Sequence, residues 1–457
     1  MENQQKAGAK GQLALFGKRR SEMTDAERVI SLQDKLYQKA KQEKGYKFYV
    51  LYDKLFIPYM LREAWKQVKS NDGAAGIDGI SVSDIEAGDV SSFLSKLSEE
   101  LRKRTYKPQA VKRVMIPKAN GGERPLGIPV VKDRIVQTVC KMLLEPIFEA
   151  DFEESSFGFR PGRSSRNAMA AIKTHLASGK TSVVDADLSK YFDTIPHAKL
   201  MIVLKERITD PRILDLIYAW LKVPVFEKGV YKGGKKNNKG TPQGGVISPL
   251  LANVYLHLLD RIVNKAGSMF EKAGVKIVRY ADDFVLMGES ITEVVMERLQ
   301  SILSRMGLTL NEEKTKVVDA KKESFNFLGF TVRYSRDLFV RDKYYWELFP
   351  SVKSENKVRE KIRDYLAKHG HCAAKDIAKG LNAIMRGWLN YFDVKGVSYA
   401  AMSKRRLTYY LTNKLSRYYN RKSQRRSRLY RQQAFEVLVT RHGMLDPTKY
   451  FTRTSPL

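Results

Sequence analysis

VKIVRYADDFVLMG, residues 275–288, decides the fold of this chain. Apolar residues flank Ala281, Asp282 and Asp283 on both sides, which predicts two strands joined by a tight turn with the acids at its tip. Adjacent carboxylates repel each other unless a cation or solvent compensates them, and Mg2+ prefers carboxylate oxygens as ligands. The stretch therefore predicts a metal-binding turn, although an Asp-Asp pair in a turn is common and carries little weight alone.

A second acidic segment, TSVVDADLSKYFDTIPH at 181–197, supplies the rest of the predicted site. Val183 and Val184 predict a buried strand, on which Asp185 and Asp187 share one face. A two-metal site needs carboxylates from separate chain segments to hold ions roughly 3.5–4 Å apart, an arrangement typical of nucleotidyl transfer. The two segments together predict such a site.

The segment between them, GTPQGGVISPLLANVYLHLLD at 240–260, combines glycines that permit close backbone approach with the start of a helix. Ser248 is predicted to cap that helix, and Pro249 is predicted to lie in its first turn. The apolar stripe that follows is predicted to be core.

A hairpin is predicted upstream, where VMIPKANGGERPLGIPVVKDRIVQ at 114–137 has an Asn-Gly turn between two strands. Lys118 and Arg124 flank its tip, so the hairpin could place cations over a triphosphate. A surface hairpin with ordinary charges would be the preferred interpretation if this stretch were seen alone.

The charge balance indicates the partner. Lys and Arg number 82 against 50 Asp and Glu, a formal net charge of +32, which favours a polyanion such as nucleic acid. An anionic membrane surface is the weaker interpretation, because no apolar run approaches the roughly 20 residues that span a bilayer. Residues 1–20 lack a secretory signal, and two distant cysteines predict free thiols, so the expected location is the cytoplasm, at the nucleoid when acting on DNA.

The C-terminal stretch 394–435 has no acidic residue, twelve basic residues and several interleaved tyrosines. Solvated helix faces often carry charge runs, but uncompensated cations beside aromatic rings favour phosphate neutralisation and base stacking. This stretch is predicted to contact RNA or DNA.

These motifs, taken in order, resemble those of group II intron-encoded reverse transcriptases. The resemblance rests on GTPQGGVISPLLAN, RYADDF, LTLNEEKTKVVD (308–319), FNFLGF (325–330), SSFGFRPGRSSRNAM (155–169), NDGAAGIDG (71–79) and LNAIMRGWLNYF (381–392). It implies an α+β right-hand polymerase, with fingers and palm built from an antiparallel sheet plus helices. An all-helical thumb or maturase region and a basic C-terminal tail would follow.

The resemblance also implies roles by position. Catalysis would fall to Asp187, Asp282 and Asp283, and the metal ligands would be Asp187, Leu188, Asp282 and Asp283 for two Mg2+ ions, with Mn2+ as a substitute. Nucleotide contacts would come from Lys118, Arg124, Phe192, Gln243 and Lys314, with Phe192 excluding a 2′-hydroxyl. Nucleic acid would contact Arg160, Arg163, Arg405, Arg406, Arg417, Arg421, Arg425, Arg426 and Arg428. Asp193 is interpreted as structural, and Asp185 stays undecided.

Five regions are predicted along the chain. They are a charged, partly disordered segment (1–42), an N-terminal extension with helical 43–70 and a Gly-rich loop (43–110), fingers and palm (111–335), helical thumb or maturase region (336–400) and a basic region (401–457). The expected partners are group II intron RNA, an RNA template with a DNA primer, and dNTPs, in splicing and retrohoming. Too few cysteines are present for a zinc-braced HNH endonuclease, so a primer made elsewhere is expected.

Alternatives stay open. The chain could be an RNA-binding maturase with an inactive polymerase, although its acids are intact. It could also be a reverse transcriptase domesticated for defence, repair or CRISPR spacer acquisition. An RNA-dependent RNA polymerase shares the palm, but the bulk of Phe192 favours deoxynucleotides.

Overall fold

The computed structural model describes residues 22–117, 122–337, 340–420, 427 and 429–451. Helices and strands alternate through the first two thirds of the chain, and helices dominate the last third. The helices are α1 (Asp25–Gln42), α2 (Pro58–Asn71), α3 (Val82–Ala87), α4 (Val90–Lys103), α5 (Val131–Glu149), α6 (Ser165–Ala177), α7 (Tyr191–Thr194), α8 (His197–Lys205), α9 (Pro211–Leu221), α10 (Ser248–Asn264), α11 (Met269–Lys272), α12 (Glu293–Met306), α13 (Val352–Lys368), α14 (Ala374–Phe392), α15 (Ala401–Asn420) and α16 (Ala434–His442). The strands are β1 (Val111–Pro117), β2 (Glu123–Ile128), β3 (Ser182–Ala186), β4 (Pro224–Glu227), β5 (Val230–Gly233), β6 (Lys276–Tyr280), β7 (Asp283–Gly288), β8 (Lys316–Asp319), β9 (Phe325–Phe327), β10 (Phe330–Arg336) and β11 (Tyr344–Pro350).

The palm sheet is antiparallel, with the strand order β6-β7-β3-β8, and it carries both acidic segments. Successive side chains of a strand face opposite sides of a sheet. Val184 and Leu286 therefore join one hydrophobic cluster, together with α1, α2, α4, α5, α10 and α12. Val183 and Met287 join a second cluster with α6, β9–β11 and the C-terminal helices. Both faces of the central strands β3 and β7 are covered, which explains why these two strands are largely apolar, whereas β8 is mostly exposed.

The fingers sheet has the order β2-β1-β4-β5, and β1 and β2 form the predicted hairpin, with Pro117 opposite Glu123. Its β2 strand is held against the glycine-rich segment of the palm. The backbone N–H of Gly127 donates to the carbonyl of Gln243 at 2.5 Å, and a Cβ at Gly244 would lie 2.2 Å from the carbonyl oxygen of Gly127. The close approach that these glycines permit is therefore between fingers and palm.

The C-terminal helices pack directly on the palm rather than forming a separate unit. A third sheet, β11-β10-β9, belongs to the second cluster together with these helices and one face of the palm sheet. The Tyr391 hydroxyl donates to the Leu328 carbonyl at 3.1 Å, the Tyr399 N–H donates to the Leu348 carbonyl at 2.7 Å, and Lys173 Nζ of α6 donates to the Gly396 carbonyl at 2.9 Å.

The structure differs from the sequence-based predictions at the N-terminus. Within the segment predicted as partly disordered, α1 is an ordered helix, started by a capping box between Thr24 and Glu27 and packed through Leu36 and Ala40. The predicted helix over 43–70 begins only at Pro58, because Phe48 is drawn into backbone hydrogen bonds with Arg207 and Thr209 instead.

Two further differences concern helix and strand limits. Ser248 does not cap α10: it is the first residue of the helix, and its hydroxyl donates to the Pro242 carbonyl at 2.9 Å. Strands β10 and β11 continue to Pro350, so the region predicted as a helical thumb from 336 begins with sheet. None of the helices in the described ranges is long and apolar enough to cross a membrane.

Candidate active site

The hairpin of β6 and β7 presents the Asp282-Asp283 pair as the sequence predicts. Tyr280 and Asp283 are opposite each other at the end of the ladder, so Ala281 and Asp282 form a two-residue turn. Ala281 adopts a φ of 58°, a left-handed conformation that is uncommon for residues with a Cβ. The surrounding structure must hold this turn in place.

Asp187 reaches the same place from the neighbouring strand. Ala186 of β3 pairs with Phe284 of β7, so Asp187 leaves the sheet beside Asp283. Its carboxylate accepts hydrogen bonds from Lys314 Nζ at 2.8 Å and Asn311 Nδ2 at 3.3 Å. Both partners lie in the segment that precedes β8, and Lys314 is otherwise largely open to solvent.

Negative charge accumulates in this cleft. Loss of hydration, together with the charges of Asp282, Asp187 and Asp185, raises the pKa of Asp283 to about 7, even though part of its side chain is open to solvent. Burial and the charge of Asp187 raise the pKa of Asp185 to about 6. Burial also raises the pKa of Asp282, against the opposing effects of its own backbone N–H, Arg124 and Arg279. The Asp187 carboxylate raises the pKa of Lys314.

The donor chemistry fits a divalent cation. Within the described ranges, no three acidic, histidine or cysteine side chains already converge as a ligand group, and Lys314 is paired with Asp187. The carboxylates on these adjacent strands carry like charges that repel one another. Carboxylate oxygens are the ligands that Mg2+ prefers in proteins, so a bound cation would relieve this repulsion. The Leu188 side chain is buried in the first cluster, so only its backbone carbonyl could contribute an oxygen.

Two of the residues predicted to bind the nucleotide, Arg124 and Gln243, form a chain of contacts with Asp193. Arg124 Nε donates to Gln243 Oε1 at 3.1 Å, and Gln243 Nε2 donates to Asp193 Oδ2 at 3.4 Å. Asp193, which was interpreted from the sequence as structural, therefore has a polar partner at the site. Phe192 is half-buried, edge-on to Tyr191 with ring centroids 5.6 Å apart. Lys118 lies outside the described residues.

Residues 116–332 match the family described as reverse transcriptase (RNA-dependent DNA polymerase), and residues 355–435 match the group II intron, maturase-specific domain. Protein YkfC of Escherichia coli (strain K12) is 36% identical over 308 residues, which cover 60% of this chain and 80% of YkfC. The chain belongs to the group II intron reverse transcriptase and maturase family.

Other relatives are longer. Group II intron-encoded protein LtrA of Lactococcus lactis subsp. cremoris is 32% identical over 347 residues, 63% of this chain and 57% of LtrA. An uncharacterized 91 kDa protein in the cob intron of Schizosaccharomyces pombe is 28% identical over 381 residues, 69% of this chain and 46% of that protein. The chain spans about half the length of these two relatives.

Arg160, which was predicted to contact nucleic acid, lies buried in the fold of this group II intron protein. Its side chain is buried and is bound by Glu149 Oε1 at 2.7 Å and by the carbonyls of Glu153 and Ser156 at 2.6 and 2.7 Å. These contacts satisfy the guanidinium of Arg160 inside the fold. Arg163 is also engaged, by the carboxylate and carbonyl of Glu154, but stays partly accessible.

The basic C-terminal stretch is more structural than its composition suggests. Arg405 and Arg417 are exposed on α15, whereas Arg406 contacts Glu355 at 3.5 Å and Lys404 is paired with Asp393. The acids absent from the stretch are thus supplied by other segments. The tyrosines of α15 also differ in exposure. Tyr409 is exposed, Tyr410 and Tyr418 are half-buried, and Tyr419 is buried. Arg421, Arg425, Arg426 and Arg428 lie outside the described residues.

Sequence reasoning missed a group of buried polar residues behind the Ala281–Asp282 turn. Arg279, Asp260 and Asn253 are all buried, and Asn253 and Asp260 lie seven residues apart on one face of α10. A signal was present, because an Arg inside a largely apolar strand and an Asp inside a largely apolar helix must find partners. Only the three-dimensional structure pairs them.

Proposed function

We propose that this chain synthesises DNA on an RNA template, with Asp187, Asp282 and Asp283 holding two Mg2+ ions, which Mn2+ could replace. The observation that carries the proposal is that acids from β3 and from the β6–β7 turn meet at one edge of an antiparallel sheet. Bound there, Mg2+ would supply positive charge to the primer 3′-hydroxyl and the triphosphate. Lys314, which now neutralises Asp187, would be free to face the leaving pyrophosphate.

The neighbouring residues would select and orient the nucleotide. Arg124 is exposed at the fingers edge, within reach of the palm through Gln243, and would bind phosphate oxygens. The Phe192 ring would lie under the incoming sugar and leave no room for a 2′-hydroxyl. Gln243 would steady the templating base pair from its minor-groove side.

The partners follow from the second family match. We propose that residues 355–435 bind group II intron RNA, so that the protein assists splicing of its intron and supports retrohoming. A maturase without polymerase activity is the less favoured candidate, because the acids, Lys314 and Phe192 are all present around one cleft. The work on DNA would take place at the nucleoid.

Primer extension on an RNA template with Mg2+ tests the polymerase. Asp282→Asn removes a ligand charge and should lower the rate by about 10³-fold or more. The matched control is Asp215→Asn, which changes an exposed aspartate on α9 and should leave the rate unaltered. Near-normal extension by Asp282→Asn would end this proposal.

A further inference from the structure

Arg279 is buried directly behind the catalytic turn. It lies on β6 two residues before Ala281, and its side chain and that of Asp260 are both 0% exposed. The Nε–H donates to Asp260 Oδ1 at 2.8 Å, and Nη2 donates to Oδ2 at 2.6 Å. A fully buried ion pair is weak evidence for stability, because desolvation of the two charges opposes their attraction. Its presence here calls for another reason.

The remaining donors of the guanidinium point away from Asp260. Nη1 donates to Asn253 Oδ1 at 2.9 Å and to the Ala281 carbonyl at 2.8 Å, and Nη2 also donates to Ser156 Oγ at 2.7 Å. The five N–H groups of an arginine are thereby all used. Because each donor has its own acceptor, the planar group has a single orientation.

The carbonyl that Arg279 binds belongs to the peptide between Ala281 and Asp282. This is the left-handed position of the turn, with a φ of 58°. A free chain would leave that conformation readily, since it costs an L-residue roughly 1–2 kcal/mol. The hydrogen bond from Nη1 fixes the plane of the peptide from which Asp282 extends.

The other side of the turn is held by the segment Ser155–Gly158. The Phe157 N–H donates to the Arg279 carbonyl at 2.9 Å, and Asn253 Nδ2 donates to the Gly158 carbonyl at 2.7 Å. Gly158 itself touches the turn, because a Cβ built there would lie 2.3 Å from the backbone nitrogen of Ala281. Both peptides that lead into Asp282 are therefore clamped.

We propose that Arg279 is a positioning residue, which acts with Asp260, Asn253 and Gly158 to fix the Ala281–Asp282 peptide so that the Asp282 carboxylate is aimed at the metal. This inference rests on the proposed polymerase function. The members of the network come from α10, β6 and the 155–158 segment, and the turn is the feature on which they meet. Apolar residues could fill the same space, but they could not hold a carbonyl.

The test compares two buried arginines. Arg279→Lys keeps the charge but loses the planar fork, so the Ala281 carbonyl loses its donor. Arg207→Lys is the matched control, because Arg207 is also buried, binds the Asp151 carboxylate at 2.7 and 2.9 Å and donates to backbone carbonyls, none of which is in the turn. Both variants should lower the thermal unfolding midpoint.

The decisive readouts are the dissociation constant for Mn2+, titrated calorimetrically into the protein with template and primer, and the Mg2+ concentration that gives half-maximal extension. We expect Arg279→Lys to raise both by about 10–100-fold, as loss of an outer-shell partner does. The kcat should fall while the KM for dNTP changes little. Arg207→Lys should leave both metal values as in the wild type. A destabilised Arg279→Lys with unaltered Mn2+ affinity would overturn the proposal.

A second pair of variants covers the case in which Arg279→Lys does not fold. Gly158→Ala presses a methyl group on the turn and should weaken Mn2+ binding while leaving the buried ion pair in place. Gly45→Ala is its control, because a Cβ there meets nothing within 4 Å. Equal Mn2+ affinities for these two variants, or no Mn2+ binding by the wild type, would contradict the positioning role. Failure of the wild type to extend primers would instead contradict the polymerase function.

Discussion

At the residue scale, Phe192 is the side chain that we propose selects deoxynucleotides over ribonucleotides. The ring is held from behind by Tyr191, whose hydroxyl donates to the Ala252 carbonyl at 2.7 Å, and the Phe192 carbonyl accepts from the Thr241 N–H at 2.7 Å. The backbone and one edge of the ring are thus fixed, which a steric filter requires.

Trimming that ring should relax the choice of sugar. We predict that Phe192→Ala lowers the ratio of dNTP to rNTP incorporation at least about tenfold, because a steric barrier to the 2′-hydroxyl is removed. The measurement is single-nucleotide extension with each substrate. Phe93→Ala, at another half-buried phenylalanine, should leave the ratio unchanged. An unaltered ratio in an active Phe192→Ala enzyme would mean that another residue is the gate.

His257 makes a second prediction, about pH. Burial and the charges of Arg261, Arg279 and Arg160 lower the pKa of His257 from 6.5 to about 3, and its Nδ1 has no hydrogen-bond partner. Below pH 6.5 the unfolded chain binds a proton that the folded chain refuses until about pH 3. The contribution of His257 to stability is therefore present above pH 6.5 and is lost as the pH falls, at about 1.4 kcal/mol per pH unit.

Replacing the imidazole should remove this acid sensitivity. We expect the unfolding free energy of His257→Leu, relative to that of the wild type, to rise by about 2 kcal/mol when the pH is lowered from 6.5 to 5. Urea denaturation at pH 7.5, 6.5 and 5 measures the difference. A stability difference that is the same at all three pH values would show that folding does not lower the pKa of His257.

At the scale of elements, one face of α15 packs in the core, and we propose that the opposite face binds nucleic acid. Leu407, Leu411 and Leu415 recur every four residues and are buried, while Arg405 and Arg417 point outward. Nucleic acid can reach only the outward face, so the charge there should set the salt dependence of binding.

Neutralising that face should be visible in a salt titration. Each phosphate contact adds a slope of roughly −0.7 to −0.9 to log K against log salt. We predict that Arg405→Gln with Arg417→Gln flattens the slope for intron RNA by about 1.4–1.8. Lys272→Gln with Arg298→Gln, which removes two exposed charges from the palm side, controls for net charge. An unchanged slope in the α15 variant would mean that these arginines face solvent in the complex.

Elements also show what could be predicted from sequence. The β6–β7 hairpin, the β1–β2 hairpin and α10 were predicted because alternation, turn residues and apolar runs are local signals. The α1 helix was missed because few of its residues are apolar, although the Thr24 capping box marked its start. The network of Arg279 was missed because its side-chain partners lie 19 to 123 residues away in the chain, beyond the reach of any local pattern.

For the whole molecule, the main point is that the palm sheet belongs to two cores. One of its faces packs in the first cluster, and the other lies in the cluster that includes α13, α14 and α15. The Ser354 hydroxyl also donates to the Gly329 carbonyl at 2.8 Å, which joins α13 to the turn before β10. The maturase region is therefore part of the support of the palm.

Removing the C-terminal helices should consequently disable the polymerase. We predict that a fragment ending at Pro350 loses at least about 5 kcal/mol, the scale of the net stability of a domain, and shows no cooperative melt. Soluble yield and calorimetry measure this. Supplying residues 351–457 in trans should restore solubility, because the missing apolar cover returns. A fragment that is soluble, monomeric and active alone would contradict the shared core.

Because the palm shares its core with the C-terminal helices, the order of synthesis leaves one face of the palm sheet uncovered for a time. The acids of the palm leave the ribosome well before α13 to α15, which cover residues 352–420. The palm sheet is complete at Asp319 and α15 ends at Asn420, so at a synthesis rate of about 5–20 residues per second the second face of the sheet lacks these helices for roughly 5–20 s. During that interval, exposed apolar strands can pair with other nascent chains. A cell that expresses this protein at a high level should therefore depend on chaperones that bind the exposed face of the palm sheet until the C-terminal helices are synthesised.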